Sequence, residues 1–292
     1  MAVSMHKGGG LLSRLQKKRL QVKTKKRGAH KGTRQSSGFG SSLEFSDFRL
    51  YQPGDDVRQI DWNVFGRTQK HYIKRFLDEQ EISAAVYLDT SSSMQSIDQK
   101  WKLAKELAAS LCYIALSGGD RLYFASLPSG SKASLRRKGA NYSKQVYAEI
   151  LQLEGAGINE GYSDHLSRAL QKNQQLSILI TDTMEPLSVL ESAMKRIGAM
   201  KQDFWLLQIL AKEEAEPNYS GDIRLIDSES STSVNVSMNP VIVDGYKKRL
   251  EEHGRQLEAA CRKYGGQFVP ITADTDIQTI LLRILPGKGM LN

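Results

Sequence analysis

Val86-Tyr87-Leu88-Asp89-Thr90-Ser91-Ser92-Ser93-Met94 passes from an apolar run straight into an acid and a cluster of hydroxyls. Asp89, Ser91 and Ser93 stand at alternate positions, a spacing that turns three oxygen groups towards one point. In open α/β sheets, ligands sit just beyond the carboxyl ends of the strands. A second apolar run, Leu176 to Thr181, also closes in an acid, Asp182. If the two runs are neighbouring strands, both carboxylates overhang one edge beside the hydroxyls of Ser91 and Ser93. Magnesium takes near-octahedral oxygen ligands at about 2.0–2.1 Å and often keeps waters. Hydroxyls backed by carboxylates suit Mg2+ and leave room for an oxygen from a partner. The competing reading is a helix N-cap and turn, for which Ser and Asp are the preferred residues.

Positioning these groups requires strands that surface at one edge. Residues 82–89, 121–127, 176–181, 204–210 and 267–271 read as strands, with a further short one over 131–138. Helical spacing places Trp101, Ala104, Leu107, Ala108, Leu111 and Ala115 on one face of a helix over 98–116, ended by Ser117-Gly118-Gly119. Further helices are expected over 142–153, 164–171, 186–198, 241–264 and 275–284. A turn-rich link over 154–161 precedes the second of these, and 223–228 with 233–237 reads as a hairpin joined through Ser230-Ser231-Thr232. Apolar strands alternating with amphipathic helices predict an α/β fold, a mostly parallel sheet with helices on both faces.

The chain has 292 residues and a net charge of +9, and the charge is uneven. Residues 1–40 hold eleven Lys or Arg and no acid, leaving 30 basic and 32 acidic residues beyond them. With few apolar side chains to offset ordering entropy, 1–40 reads as a basic, flexible arm, with a short helix over Leu11–Leu20 as an option. No apolar run approaches the roughly 18 residues of a membrane span, and the start lacks the apolar core of a secretory signal, so a cytoplasmic location is expected. Cys112 and Cys261 fall on helical patterns without metal spacing and read as reduced core thiols.

Residues 41–80 interleave acids and arginines. Glu44, Asp47, Arg49, Asp55, Asp56, Arg58, Asp61 and Trp62 form a dense motif whose charged members are expected to pair with one another and with backbone amides, fixing an irregular segment. Phe45, Phe48 and Tyr51, three residues apart, predict one or two helical turns; Pro53-Gly54 predicts a turn, and Tyr72 to Phe76 a strand.

Asp89-Thr90-Ser91-Ser92-Ser93 resembles the DxSxS motif of von Willebrand factor A domains, with Asp182 in the place of their later acidic ligand. The upstream residues Glu44-Phe45, Asp47, Arg49, Tyr51, Pro53-Gly54-Asp55-Asp56, Arg58, Ile60-Asp61-Trp62, Arg67-Thr68 and Phe76 look like the bacterial domain-of-unknown-function-58 family. That resemblance implies an N-terminal segment over 41–80 packed on a von Willebrand factor A-like domain over 81–292. It also implies a cytoplasmic protein working with a MoxR-type AAA+ ATPase in assembly, maturation or regulation of other proteins. Such domains hold magnesium in a metal-ion-dependent adhesion-type site: two serines, here Ser91 and Ser93, and a threonine from a second loop, with two acids behind. The threonine has no counterpart in Gly161-Tyr162-Ser163-Asp164-His165, where either Ser163 or Asp164 substitutes or the ligand is missing.

Three functions follow from these readings. The leading one is a non-enzymatic interaction domain whose Asp89 edge meets an acidic group on a protein partner. A second is binding of nucleic acid or an anionic membrane surface through residues 1–40. The third is a phosphatase-like hydrolase with Asp89 as nucleophile, for which Ser91 stands where a DxD pattern needs its second acid.

Overall fold

Strands buried on both faces read as nearly unbroken apolar runs, and the four such runs of this chain form the middle of one sheet. The computed structural model describes residues 5–23, 31–128, 134–155, 161–218, 221–226 and 233–292. In chain order the elements are α1 (Met5–Leu15), β1 (Lys31–Leu50), α2 (Trp62–Thr68), β2 (Tyr72–Gln80), β3 (Ser83–Asp89), α3 (Ser92–Gln95) and α4 (Asp98–Ser117). Then come β4 (Arg121–Leu127), β5 (Ser134–Lys138), α5 (Ser143–Leu151), α6 (Tyr162–Ala169), β6 (Leu176–Thr181), α7 (Leu187–Ala199) and β7 (Asp203–Leu210). α8 (Lys212–Ala215), β8 (Gly221–Ile226), β9 (Ser233–Met238), α9 (Pro240–Lys263), β10 (Gly266–Thr272) and α10 (Ile277–Thr279) complete the set, the last continuing as helical turns to Gly287. The described residues form two units, one of 5–23 with 83–292 and the other of 31–82.

In the larger unit a six-stranded sheet runs in the order β10-β7-β6-β3-β4-β5. All pairs are parallel except β4 with β5, which closes one edge antiparallel. Counted within the sheet, this is the doubly wound order 3-2-1-4-5-6, whose direction of winding reverses between β3 and β6. Successive strand residues face opposite sides. Ala85 and Tyr87 therefore join Leu166, Leu190, Ala193, Leu257 and Cys261 in the core under α6, α7 and α9, while the alternate residues of β3 face α4. Cys112 and Cys261 are free and buried, and burial pushes both thiols upward in pKa. β8 and β9 pair as the expected hairpin; their link lies outside the described residues, as do 129–133 and 156–160.

The start of the chain departs from the expected solvated arm. Leu11, Leu15 and Leu20 are buried, and α1 packs beside α4. Leu20 bridges to Leu291, Gln21 N donates to Met290 O at 2.8 Å, and Arg19 N donates to Asn292 Oδ1 at 2.8 Å. Three leucines at four- and five-residue spacing supply the apolar stripe that the basic composition concealed. Residues 24–30 lie outside the described residues, and β1 begins at Lys31, so the expected divisions after residues 40 and 80 are replaced by units of 5–23 with 83–292 and of 31–82.

The smaller unit is an antiparallel β1-β2 pair closed by a capped loop. The helical turns expected from Phe45, Phe48 and Tyr51 are strand and loop instead. Phe45 pairs with Phe76 and Asp47 with Arg75, so β1 carries an extra residue between them, and this bulge breaks the two-residue alternation that marks strands. Arg49 meets Asp55 through two contacts of 2.6 and 2.7 Å, and Asp55 also accepts Gln52 N at 2.9 Å. The Arg49 guanidinium holds the Asp55 carboxyl below the usual carboxylate range. Asp56 caps the short turn Val57–Gln59 by accepting Arg58 N at 3.0 Å, and Asp61 caps α2 by accepting Asn63 N and Val64 N. Trp62 is 61% exposed and contacts Phe65 and His71 edge to face. Glu44 and Asp47 lie on β1, and their side chains are outside the described set.

Candidate functional site at the β3 and β6 strand ends

Asp89 is the last residue of β3 and Asp182 follows the last residue of β6, and these strands are hydrogen-bonded neighbours flanking the reversal point of the sheet. Ligands bind in the crevice at such a point. Asp89 is 2% exposed. Thr181 Oγ1 donates to its Oδ2 at 2.6 Å, and Ser91 N donates to its Oδ1 at 2.9 Å. Burial, and then the charge of Asp182, raise the Asp89 carboxyl to about 7, although the bonds from Thr181 and Ser91 oppose the rise.

Past Asp89 the chain turns sharply. Thr90 N donates to Leu127 O at 2.7 Å and its hydroxyl to Pro128 O at 2.9 Å, tying the turn to the neighbouring strand. Gln95 Nε2 reaches back to Thr90 O at 2.7 Å. The turn leaves Ser91 Oγ and Ser93 Oγ 3.0 Å apart. The two hydroxyls are hydrogen-bonded to each other at that distance, which is also about the spacing of two adjacent ligands of an octahedral ion bound at about 2.1 Å.

The other expected ligands divide. Ser163 is buried at the start of α6; its N donates to Glu185 Oε2 at 3.0 Å and its hydroxyl donates to the same oxygen. A hydroxyl that gives its proton to a carboxylate keeps its lone pairs for a cation. Asp164, the next residue, is exposed on the helix surface. Tyr162 connects this loop to the strand end: its hydroxyl donates to Tyr87 O at 3.2 Å. Burial first, then Asp89, Tyr87 and Glu185, hold that phenol well above its ordinary pKa, so it stays neutral.

Asp182 is held by a residue that sequence reasoning passed over. Lys100, on α4, has a fully buried side chain; its Nζ lies 2.9 Å from Asp182 Oδ2 and 2.8 Å from Glu214 Oε1. Burial opposes the ammonium charge, but the two carboxylates outweigh it and keep the lysine above its usual pKa. Asp182 Oδ1 accepts Met184 N at 3.2 Å, and Glu214 Oε2 accepts Ala211 N at 2.7 Å. Tyr246 donates to Glu214 O at 2.7 Å, which ties α9 to α8. Thr183 takes the left-handed conformation at φ 59°, pinned by Gln208 Nε2 on its hydroxyl at 2.7 Å and by His253 on its carbonyl at 3.1 Å. A strained residue persists where its surroundings over-determine it. The signal for Lys100 was its position four before Ala104 and seven before Leu107, on the buried stripe. Glu185 and Glu214 carried no comparable pattern, because a loop and the four-residue helix α8 bring them in.

Among the described residues no group of three or more His, Cys, Asp or Glu converges as a metal site. The donor set is hydroxyl-rich, with carboxylates behind it. Met184, two residues beyond Asp182, is 49% exposed beside this edge.

Comparison with known proteins places the chain in a family. Uncharacterized proteins of Mycobacterium bovis and Mycobacterium tuberculosis are each 25% identical over 260 residues, covering 85% of this chain and 80% of theirs. Among solved structures, an aerotolerance-related membrane protein from Bacteroides fragilis is similar with a TM-score of 0.39 at 12% identity, covering 65% of this chain and 91% of that one. BatB from Bacteroides thetaiotaomicron gives 0.38 at 14%, covering 71% and 97%. The SpRpn10 VWA domain gives 0.37 at 10%, covering 69% and 94%. The model of the family described as "Protein of unknown function DUF58" matches residues 47–256, more than half of the chain, and the chain belongs to that family.

Proposed function

We propose that this protein is a non-enzymatic docking module that engages a protein partner at the Asp89 edge. The observation that carries the reading is the 3.0 Å separation of the Ser91 and Ser93 hydroxyls over a buried acid at the reversal point of the sheet. Ser91, Ser93 and Ser163 would hold Mg2+, with Asp89 and Glu185 accepting from the loops that present them. Bound there, the ion would supply a Lewis-acidic position for a carboxylate of the partner. Lys100 neutralises Asp182, so that acid acts from behind as a positioning group. Met184 adds an adaptable apolar contact at the rim.

Asp89 suits support better than nucleophilic attack, since it is buried and both its oxygens accept hydrogen bonds. The partner class follows from the family resemblance: a MoxR-type AAA+ ATPase, or a client on which the two act in assembly or maturation, in the cytoplasm. Among the described residues no helix is long and apolar enough to cross a membrane.

The test is binding of the full chain to such an ATPase by fluorescence anisotropy, with magnesium and with chelator. Chelation and Ser91→Ala are each expected to weaken binding about tenfold or more, the effect of losing one well-placed charged contact. Binding indifferent to both rejects the Asp89 edge as the contact.

A further inference from the structure

The smaller unit holds a tryptophan that the fold displays. Tryptophan is highly buried on average, yet Trp62 is 61% exposed. The charged motif around it serves as its mount. Ile60 is buried and bridges to buried Ile73 on β2, Asp61 caps α2 by accepting Asn63 N at 2.9 Å and Val64 N at 3.2 Å, and Trp62 is the first residue of that helix. Its ring meets Phe65 at 5.9 Å and His71 at 6.3 Å, both edge to face, and Phe65 stacks on His71 at 4.5 Å. Such ring contacts favour set orientations, so a partner that covers Trp62 has little side-chain freedom left to freeze.

The surroundings of the ring are apolar and cationic. Val57, on the short turn ahead of Ile60, is 55% exposed. From Val57 to Tyr72 the cations are Arg58, Arg67 and Lys70, all exposed, and the one acid is Asp61, buried with its carboxylate on the helix amides. Upstream, Asp55 is held by Arg49 and Asp56 accepts Arg58 N. Five steps of about 1.5 Å put Arg67 about 7.5 Å from Trp62 along α2, and Lys70 adjoins His71 in the ring cluster. An apolar anchor flanked by cations calls for an apolar pocket with carboxylates at its rim.

We propose that Trp62 anchors a docking face of the smaller unit for a protein partner, entering such a pocket while the acidic rim pairs with Arg58, Arg67 and Lys70. Tryptophan and arginine are enriched among the few residues that carry most of an interface's energy. Single-stranded nucleic acid binds instead on successive ring faces along a track. Here the rings pack on one another as a single cluster, and aliphatic Val57 gives a base nothing to stack on. A second copy is the wrong partner on charge, since a two-fold contact through Trp62 would set these cations against their own twins.

Photocrosslinking in the host bacterium, with benzoylphenylalanine in place of Trp62 and, separately, of Met184, reads this face and the Asp89 edge independently. The protein joined at position 62 is then purified and titrated with the full chain by fluorescence anisotropy. Trp62→Ala is expected to weaken binding at least about tenfold, and the pair Arg58→Gln with Arg67→Gln to weaken it several-fold and to flatten its salt dependence. Both arginines are exposed, so the melting temperature of that pair should match the parent and keeps the test open should Trp62→Ala unfold the loop. No protein joined at position 62, or one whose affinity survives both sets of substitutions, overturns the proposal. A second copy joined there overturns it in favour of self-association, and an eight-nucleotide single strand bound more tightly than the joined protein overturns it in favour of nucleic acid. An adduct at position 184 without one at 62 overturns this face and leaves the Asp89 edge standing; the reverse rejects that edge and supports this face.

Discussion

Lys100→Met removes the cation that bridges Asp182 and Glu214 and puts in its place a side chain of similar length. The parent lysine is fully buried and 2.9 and 2.8 Å from its two acids. Removing one partner of a buried ion pair costs about 3–5 kcal/mol, because the remaining charge is left uncompensated. Here two carboxylates are left, although Glu214 is 22% exposed and regains some water. Against a total stability of about 5–15 kcal/mol, the loss is severe but measurable. Urea unfolding followed by fluorescence, in which buried Trp205 in β7 reports on the sheet, should show the midpoint falling by about 1 M or more at an m-value of about 3 kcal/mol/M. Adding Asp182→Asn and Glu214→Gln to Lys100→Met should restore at least about half of the loss, since a neutral network costs far less to bury. A cost below about 1 kcal/mol, or no recovery in the triple variant, would refute the buried triad as the support of Asp182.

Asp89 sets a second expectation, about pH. Its folded pKa of about 7 lies above the ordinary 3.8, so its contribution to stability is fully present below about 4 and is lost as pH rises through about 7. Between pH 5 and 8, metal-free protein should lose about 2–3 kcal/mol through this group, at about 1.4 kcal/mol per unit. Asp89→Asn should flatten that part of the profile in denaturant titrations, and an unchanged slope assigns the pH dependence elsewhere. In the smaller unit, Asp61→Ala strips α2 of its cap and should destabilise that unit by about 1 kcal/mol, read by hydrogen exchange of the amides at 63 and 64. Exchange there unchanged from the parent would deny the cap.

Local patterning made the α/β architecture readable. Runs buried on both sheet faces have little choice but to be apolar, and the two that end in Asp89 and Asp182 announced an edge where the chain meets water. The same logic failed at the start of the chain, where Leu11, Leu15 and Leu20 are few among many cations and their burial depends on surfaces contributed by α4 and Leu291. It failed again at Phe45, where an extra residue in β1 imitated helical spacing.

The residues from Asp89 to Ser93 determine by themselves that an acid and two hydroxyls leave a strand together, because the spacing is written along one short turn. Which groups stand behind them belongs to the tertiary structure alone. Lys100, Glu185 and Glu214 come from α4, a loop and α8, far apart in sequence. A buried charge is tolerable only where the fold delivers its counter-charge, and the order of the sheet delivers these to the reversal point between β3 and β6.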